Sequence, residues 1–424
     1  MKIYVSNGAL KSELSNIAPD KSISHRSAIF SLLSDKPSTI KNYLEAEDTL
    51  HTLKIVESLG AKVEKKDGVI KITPPAKIEE PKEILDCGNS GTAMRIFMGL
   101  LASQEGFFVL NGDVYLNERP MKRVGKPLLE IGAKIDGREG GDKAPLCIRG
   151  SKLNYFEFES KIASAQIKTA LILAALNAQG CKYSEPELSR DHSENMLKFM
   201  GADIKRDGLS LEVKALTSPL KPLNIEVPND PSSAFYFAVA ACIIPGSHII
   251  LKNVLFNKTR IEAYKVLEKM GADIKFSLTS SDYEEIGDIE IKYSNLKAVE
   301  VSENISWLID EAPALAVAFA CANGTSKLIN AKELRVKECD RIAVTVAGLK
   351  ACGIKVEELE DGFVVTGGEP KAAIIDSYGD HRIAMSFAIL GLKCGMIVED
   401  DECINVSFPK FKEILKSLGV SVED

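Results

Sequence analysis

Lysine, arginine and hydroxyl side chains recur at the predicted starts of helices in this chain. Lys21, Ser22 and Arg26 lie in the string DKSISHR, just ahead of the helical run at residues 27–33. The N-terminus of a helix attracts anions through its backbone N–H groups and its dipole, and two cations and a hydroxyl add to that attraction. The string predicts an anion site, although an ordinary capped surface helix would share these features.

Two further strings place polar groups at bends of the chain. GNSGTAMR, residues 88–95, again opens a predicted helix with small residues that let a ligand approach the backbone closely. It has neither the Lys-Ser/Thr of a Walker loop nor the spacing of a dinucleotide-binding loop, so it does not indicate a nucleotide site. NERPM, residues 117–121, offers Arg119, for which a structural arginine at a helix started by Pro120 is the alternative.

The strings ASAQIK and SRDHSE begin two more predicted helices. Ser164, Gln166 and Lys168 offer a hydroxyl, an amide and a cation from one helix end, and simple capping by Ser164 is the alternative. Arg190 places a cation at the start of the next helix. His192 would serve as a catalytic imidazole, but a solvated capping histidine is the favoured interpretation. The sequence has no HExxH string or clustered Cys/His pattern, so we predict no metal site.

Acidic groups join the cations in the last third of the chain. Asp310 and Glu311 precede the apolar run at residues 314–322, which places a carboxylate at the edge of a buried helix. The string LRVKECDR packs five charges into residues 335–341; in a helix, Lys337 and Arg341 would share a face and repel unless an anion lay between them. A solvated charged face is the alternative. GDHRIAM then puts Arg382 at the head of a last apolar helix.

Taken together, these strings predict a site for substrates that carry phosphates and carboxylates. Guanidinium groups bind such anions through paired hydrogen bonds, and helix termini add a favourable potential. We expect the cations to face one cleft.

The elements that must position these groups repeat along the chain. An apolar residue, Gly, a small or branched residue, any residue and Val or Ile occur in that order six times, each after an amphipathic run. A glycine there fits a helix C-cap followed by a strand. The glycines, spaced 72, 69, 70, 82 and 66 residues apart, are Gly60, Gly132, Gly201, Gly271, Gly353 and Gly419. The period predicts six copies of one α/β unit rather than a helical solenoid.

The 424 residues, 45% of them apolar, suffice for two or three domains, and six units divide into two lobes of three. Prolines at position 19 and at positions 219–231 mark the expected hinges. We therefore predict one lobe at residues 19–228 and another at residues 1–18 plus 229–424. Two such crossings would leave an interlobe cleft able to open and close around a ligand.

Charge and cysteine content exclude other classes of protein. The net charge of −7 disfavours a general binder of nucleic acid or of anionic membranes. Nine cysteines without CxxC spacing are typical of reduced thiols that fill the core. The first residues have no secretory or organellar signal, and no stretch is long enough to span a bilayer. We expect a cytoplasmic protein, and a monomer because one chain builds the cleft.

The strings DKSISHR, GNSGTAMR, ERPM, SAQIK, LRVKECDR and GDHRIAM occur in the order seen in the 5-enolpyruvylshikimate-3-phosphate synthase family. The chain resembles that family from end to end, and its GDK, SAQxK, RxHxE and NxxR strings are similar to the class II bacterial branch. The resemblance implies a two-lobed α/β enolpyruvyltransferase fold with three βαβαββ units in each lobe. This agrees with the six glycine-marked units.

The resemblance also implies site residues. Shikimate-3-phosphate would be bound by Lys21, Ser22, Arg26, Ser164, Gln166, Arg190, Asp310 and Lys337. Phosphoenolpyruvate would be bound by Lys21, Asn89, Gly91, Arg119, Gln166, Arg341 and Arg382. The shikimate-3-phosphate contacts fall mainly in the lobe at residues 19–228. The second lobe would complete the phosphoenolpyruvate site and supply the acid and the base.

The family's reaction joins the 5-hydroxyl of shikimate-3-phosphate to C2 of phosphoenolpyruvate while C3 gains a proton, and the tetrahedral intermediate then expels phosphate. Asp310 resembles the family's base. Glu338 resembles its acid, with Lys21 as a competing donor. Nearby cations lower the pKa of a carboxyl, so Glu338 needs compensating desolvation to act as an acid. No metal or organic cofactor is called for.

Some residues depart from the better-known branch of the family: Ala165 replaces a serine, Glu333 an asparagine and Val406 a lysine. All three agree with the class II branch, which is often tolerant of glyphosate. Gly91, in contrast, is the small residue that leaves room for that herbicide. An inhibition constant similar to that of sensitive members would refute tolerance.

Two other functions compete with the synthase interpretation. Enolpyruvyl transfer to UDP-N-acetylglucosamine uses a loop cysteine near the ERPM string, and this chain has no cysteine between Cys87 and Cys147. A non-catalytic phosphometabolite-binding protein would have no need of the acid and base pair that the chain retains.

Overall fold

The computed structural model describes residues 1–423 and separates into two compact units. The contiguous unit is Pro19–Val227. The composite unit joins Met1–Ala18 to the residues from Pro228 onward. Both boundaries fall immediately before a proline, where the preceding residue favours extended backbone.

The helices begin and end as follows: α1 (Lys21–Ser31), α2 (Glu47–Ser58), α3 (Gly91–Ala102), α4 (Lys122–Glu130), α5 (Arg138–Gly141), α6 (Ala165–Leu176), α7 (His192–Phe199), α8 (Pro231–Ile243), α9 (Glu262–Lys269), α10 (Ile305–Leu308), α11 (Ala312–Ala320), α12 (Arg341–Ala351), α13 (His381–Cys394) and α14 (Phe411–Ser417). Short 3-10 turns lie at Leu116–Glu118, Lys332–Val336 and Asp401–Val406.

The strands are β1 (Lys2–Ile3), β2 (Lys11–Leu14), β3 (Ser38–Lys41), β4 (Lys62–Lys66), β5 (Val69–Thr73), β6 (Leu85–Asp86), β7 (Phe107–Asn111), β8 (Lys134–Gly137), β9 (Lys143–Arg149), β10 (Phe156–Glu159), β11 (Cys181–Ser184), β12 (Ile204–Asp207), β13 (Ser210–Val213), β14 (Asn224–Glu226), β15 (His248–Leu255), β16 (Asp273–Ser280), β17 (Ile286–Lys292), β18 (Glu300–Val301), β19 (Thr325–Leu328), β20 (Lys355–Leu359), β21 (Gly362–Thr366), β22 (Ala373–Asp376), β23 (Met396–Glu399) and β24 (Val422–Glu423).

Across residues 1–423 these strands form six four-stranded sheets, three in each unit. The contiguous unit has the orders β14-β3-β5-β4, β6-β7-β9-β8 and β10-β11-β13-β12. The composite unit has β16-β17-β15-β2, β18-β19-β21-β20 and β22-β23-β1-β24. In the third sheet, β10 and β11 are parallel and joined through α6, whereas β11, β13 and β12 pair antiparallel. The predicted repetition of a βαβαββ unit is confirmed.

The six hinge glycines have the left-handed backbone that their positions predicted. Their φ angles are 97°, 97°, 99°, 90°, 75° and 82° in chain order. Gly60, for example, donates its N–H to the Glu57 carbonyl at 2.9 Å, and β4 begins two residues later. Each glycine therefore ends one helix and turns the chain into the next strand.

Apolar helices occupy the interior of each unit. All residues of α8 are buried, as are those of α11, and α3 and α6 are buried along nearly their whole length. A Cβ at Gly99 of α3 would lie 2.2 Å from the Ala170 carbonyl oxygen of α6, so only glycine allows this approach. The packing holds the GNSGTAMR and SAQIK strings, which open these two helices, beside each other.

All nine cysteines are free thiols, and Cys87, Cys181, Cys242 and Cys352 are buried. Burial raises the pKa of the Cys181 thiol to about 12. Among residues 1–423, none of the helices has both the length and the apolar character to cross a membrane.

Candidate active site

Five of the helices next to predicted site strings begin at side-chain caps. In the contiguous unit, the Asp20 carboxylate accepts the Ile23 N–H at 2.7 Å and the Ser90 hydroxyl accepts the Ala93 N–H at 3.1 Å. Ser164 caps α6 at 3.5 Å, as the alternative interpretation of its string expected. Asp340 and Asp380 cap α12 and α13 in the composite unit. Because capping is a local interaction, the strings for α3, α6 and α13 were enough to predict that a helix begins there.

Two predictions about these helices are wrong in detail. The first helix begins at Lys21 rather than after Arg26, so Lys21 and Ser22 lie in its first turn and Arg26 one turn further along, only 3% exposed. The string at residues 334–341 is not one helix: a 3-10 turn ends at Val336 and Lys337 is extended. Since α12 starts at Arg341, the shared face of Lys337 and Arg341 does not form.

Two alternative interpretations also fail. Pro120 does not start a helix, because α4 begins at Lys122 and Arg119 ends a 3-10 turn. His192 is not solvated: it begins α7 and is fully buried.

Arg26 makes polar contacts with three helices. Its Nε donates to the Ser193 hydroxyl at 2.8 Å, Nη2 donates to the Thr169 hydroxyl at 3.2 Å and Nη1 donates to the Ser22 carbonyl at 3.1 Å. One guanidinium thus joins α1, α6 and α7. Arg190 lies two residues before α7 and is partly exposed.

A second group of side chains surrounds the start of α3. Arg95 donates from Nη1 to Gln166 Oε1 at 3.0 Å and from Nη2 to the Pro120 carbonyl at 2.9 Å. Arg119 donates to the Asn89 carbonyl at 3.4 Å. A Cβ built at Gly91 would lie 3.1 Å from Arg95 Nη1 and 3.3 Å from Arg119 Cζ, so Gly91, Gln166 and Arg119 lie together.

Lys21 and His25 extend from α1 toward α2. Lys21 Nζ lies 2.8 Å from Asp48 Oδ2, and its side chain is 24% exposed. His25 Nδ1 contacts the Thr52 hydroxyl at 2.7 Å, and Nε2 lies 3.4 Å from the Ser90 hydroxyl. Burial, with Lys21 and Arg26 nearby, lowers the pKa of His25 well below 6.5. A neutral imidazole therefore connects the first helix to the cap of the third.

Because buried His25 is neutral, we predict that the stability of the folded protein depends on pH. Its pKa is depressed on folding, so the unfolded chain takes up the proton first as the pH falls below about 6.5, and stability declines from there down to the folded pKa. In His25→Asn this part of the decline should be absent when melting temperatures are compared between about pH 7 and pH 5.

His51→Asn is the control, because that ring is 25% exposed and should leave the wild-type decline in place. Equal declines in His25→Asn and wild type would show that His25 is not held neutral.

A buried cluster in the composite unit is centred on Arg341, whose side chain is 2% exposed. Its Nε donates to Asp380 Oδ2 at 2.7 Å, Nη2 donates to Glu338 Oε2 at 2.6 Å, and Nη1 donates to Asp310 Oδ1 at 3.4 Å. Desolvation lowers the pKa of Arg341, but the three carboxylates outweigh it and raise that pKa well above its usual range. The guanidinium stays charged and holds two candidate acid and base carboxylates near each other.

Arg382 and Lys337 complete this cluster. Arg382 donates from Nη1 to the Asp310 carbonyl at 3.2 Å, and its Nη2 lies 3.7 Å from Asp310 Oδ2. Lys337 Nζ lies 3.5 Å from Glu333 Oε1. Burial lowers the pKa of Lys337, against the opposing effect of Asp310 and Glu333. Carboxylates and three cations held together in this way suit an anionic substrate that exchanges protons.

The comparisons with known proteins agree with this chemistry. The family model described as EPSP synthase (3-phosphoshikimate 1-carboxyvinyltransferase) matches residues 5–415. The chain belongs to the EPSP synthase family. Proteins named 3-phosphoshikimate 1-carboxyvinyltransferase from Campylobacter hominis and Campylobacter concisus are 71% and 69% identical to it, over 100% of this chain and 100% and 99% of theirs.

A solved structure of EPSP synthase from Acinetobacter baumannii matches with a TM-score of 0.89 at 37% identity, covering 100% of this chain and 99% of that one. The predicted two-lobed family fold is confirmed by this structural match and by the six repeated units. The EPSP synthase reaction transfers the enolpyruvyl group of phosphoenolpyruvate to the 5-hydroxyl of shikimate-3-phosphate, a step of aromatic amino acid biosynthesis. This chain catalyses that reaction.

The sequence analysis missed several side chains that hold the EPSP synthase strings in place. Arg95 and Asp380 stand inside quoted strings, and the only signal was a charged residue at the start of an apolar helix. Asp48 and Thr169 lie outside the quoted strings and Ser193 lies inside SRDHSE, but none of the three was recognised, since their roles arise from partners 27, 143 and 167 residues away in sequence.

We expect the stability of this EPSP synthase to depend strongly on the charge of Arg341. Arg341→Met would leave Asp310, Glu338 and Asp380 without their shared cation, and removing one partner of a buried ion pair costs about 3–5 kcal/mol. Denaturant unfolding of both proteins measures this loss. The control Lys332→Met removes an exposed pair with Glu360 and should change stability little. A similar stability for Arg341→Met and wild type would contradict the prediction.

Proposed function

We propose that the two units perform different parts of the enolpyruvyl transfer. The contiguous unit binds shikimate-3-phosphate, and the composite unit supplies the acid and base and contributes cations for phosphoenolpyruvate. The observation that carries this proposal is that one buried guanidinium, Arg341, contacts both Asp310 and Glu338. A protein that only binds phosphates has no need of two carboxylates held against its cation.

For shikimate-3-phosphate we propose the first string and its partners. Arg26, held by Thr169 and Ser193, and Ser22 lie near the positive end of α1, where a phosphate is favoured. The remaining contacts that we assign are Lys21, Ser164, Gln166, Arg190, Asp310 and Lys337.

For phosphoenolpyruvate we propose the group around Gly91. The absence of a side chain there leaves the Arg119 guanidinium room beside the helix start, with Gln166 oriented by Arg95. Guanidinium groups bind carboxylate and phosphate oxygens in pairs. The remaining contacts that we assign are Lys21, Asn89, Arg341 and Arg382.

The proposed chemistry uses these groups in sequence. Asp310 accepts the proton of the 5-hydroxyl as its oxygen bonds to C2, while Glu338 or Lys21 delivers a proton to C3. The tetrahedral intermediate then loses the C3 proton and the phosphate. Arg119, Arg341 and Arg382 stabilise the charge of the departing phosphate.

Phosphate release by the purified protein tests the function. We expect release with shikimate-3-phosphate and phosphoenolpyruvate and none with UDP-N-acetylglucosamine as the acceptor. Release only with the nucleotide sugar would establish the related transferase instead. Binding without release would favour a non-catalytic protein. We also propose a cytoplasmic monomer, and light scattering that gives the mass of two chains would refute the second part.

Gly91→Ala tests the phosphoenolpyruvate assignment. The new Cβ would lie 3.1–3.3 Å from the guanidinium groups of Arg95 and Arg119, so both must shift by a few tenths of an ångström. We expect the KM for phosphoenolpyruvate to rise by about tenfold, since small displacements of binding groups are costly, with an unchanged melting temperature. Gly8→Ala is the control, because nothing lies within 4 Å of its Cβ. An unchanged KM in Gly91→Ala would remove Gly91 from the site.

A further inference from the structure

Four charged side chains outside the proposed chemistry form a buried ion cluster in the contiguous unit: Lys168, Glu185, Glu194 and Arg206. Lys168 Nζ lies 2.8 Å from Glu185 Oε1 and 3.0 Å from Glu194 Oε1, with both lysine and Glu185 side chains fully buried. Arg206 contacts Glu194 and lies 3.8 Å from Glu185. Two positive and two negative charges balance.

Stability alone is a poor reason for such a cluster. Desolvating charges is expensive, and a buried ion pair is often no more stabilising than apolar residues of similar volume. One oxygen of Glu194, Oε2, is buried without a hydrogen-bond partner among residues 1–423, which adds to that cost. What the cluster provides is orientation, because each of its charges lies on a different segment.

Lys168 connects three of these segments directly. It stands in the first turn of α6 and donates to the Ser189 carbonyl at 3.1 Å. Ser189 in turn donates from its hydroxyl to Glu185 Oε2 at 2.5 Å. The residue after Ser189 is Arg190, so the lysine fixes the backbone that presents this proposed shikimate-3-phosphate contact.

The same lysine fixes both supports of Arg26. Thr169 follows it in α6, and Ser193 precedes its partner Glu194 in α7. The two hydroxyls lie 2.6 Å apart, and both accept hydrogen bonds from the Arg26 guanidinium. The ion pair between Lys168 and Glu194 therefore sets the spacing of the two oxygens that orient Arg26.

We propose that Lys168 is a positioning residue for the shikimate-3-phosphate site, acting through Thr169, Ser193 and the Ser189 carbonyl on Arg26 and Arg190. It does not touch the substrate. The inference rests on the proposed function, in which those two arginines bind shikimate-3-phosphate.

The test separates positioning from charge balance. Lys168→Met leaves a buried excess of negative charge. The double variant Lys168→Met/Glu185→Gln restores the charge balance but not the contacts of Lys168 with Glu194 and the Ser189 carbonyl. We expect both variants to bind shikimate-3-phosphate about tenfold more weakly, in Kd and in KM, with the KM for phosphoenolpyruvate changed by less than about threefold. The double variant should recover melting temperature but not affinity. Lys214→Met, which removes an exposed pair with Asp203, is the control.

Recovery of affinity together with melting temperature in the double variant would overturn the inference, because charge balance alone would then explain the lysine. If neither variant folds, Ser193→Ala breaks the same link with less disruption and should weaken binding at an unchanged melting temperature; wild-type affinity there would also overturn it. Arg26→Gln tests the underlying assignment: if it binds shikimate-3-phosphate normally, the proposed site is wrong, whatever Lys168 does.

Discussion

Replacing Asp310 with asparagine should lower kcat by a factor of about 10² to 10⁴ and leave the affinity for both substrates within a few-fold of wild type. Asparagine keeps the shape of the side chain, and its one oxygen can still accept a hydrogen bond from Arg341, whose Nη1 lies 3.4 Å from Asp310 Oδ1. It cannot take a proton from the 5-hydroxyl. The loss therefore falls on the chemical step.

Single-turnover measurements of phosphate release, with Kd values from titration, separate that step from binding. Glu360→Gln is a matched control in the same unit, since the Glu360 side chain is exposed and pairs with Lys332 at the surface. If Asp310→Asn turns over at a rate close to wild type, another group is the base. A loss confined to substrate affinity would instead make Asp310 a binding residue.

The parts of the fold that could be predicted from the sequence are those with local causes. A helix C-cap needs a left-handed residue within one turn, so Gly60 and its five counterparts were recognisable from five-residue strings. The helix starts at Ser90 and Ser164 were recognisable for the same reason. Repetition of these local signals was enough to predict six units.

The errors and omissions have tertiary causes. Charge spacing suggested a helix through Lys337, but the structure has a 3-10 turn followed by an extended Lys337. In this segment Arg335 pairs with Asp340 at 2.8 Å and with Glu358 of β20 at 3.0 Å. His192 is buried because α7 packs inward, which a polar string does not reveal. Likewise, Arg26 meets Ser193 167 residues away. Partners of this kind depend on the packed fold.

Glu338 presents a problem as the proton donor, because its Oε2 lies 2.6 Å from Arg341 Nη2 and an ion pair of this kind stabilises the carboxylate. Binding of phosphoenolpyruvate to Arg341, as proposed, would weaken this ion pair. A substrate anion that shares the guanidinium weakens its hold on Glu338, and the carboxylate can then take up a proton. Lys21, whose Nζ lies 2.8 Å from Asp48 Oδ2, is the competing donor.

We therefore expect Glu338→Gln to lower kcat by a factor of about 10² to 10³ and to lower to the same extent the rate at which phosphoenolpyruvate takes up deuterium at C3 when both substrates are present in D₂O. The amide keeps a contact with Arg341 but cannot exchange protons with carbon. Lys21→Met should weaken binding of both substrates, yet with both substrates saturating its rate of deuterium uptake at C3 should stay close to that of the wild type. The opposite pattern, with a wild-type rate of deuterium uptake in Glu338→Gln and a much lower rate in Lys21→Met, would make Lys21 the donor, and the Arg341–Glu338 pair would then serve only to orient the cation.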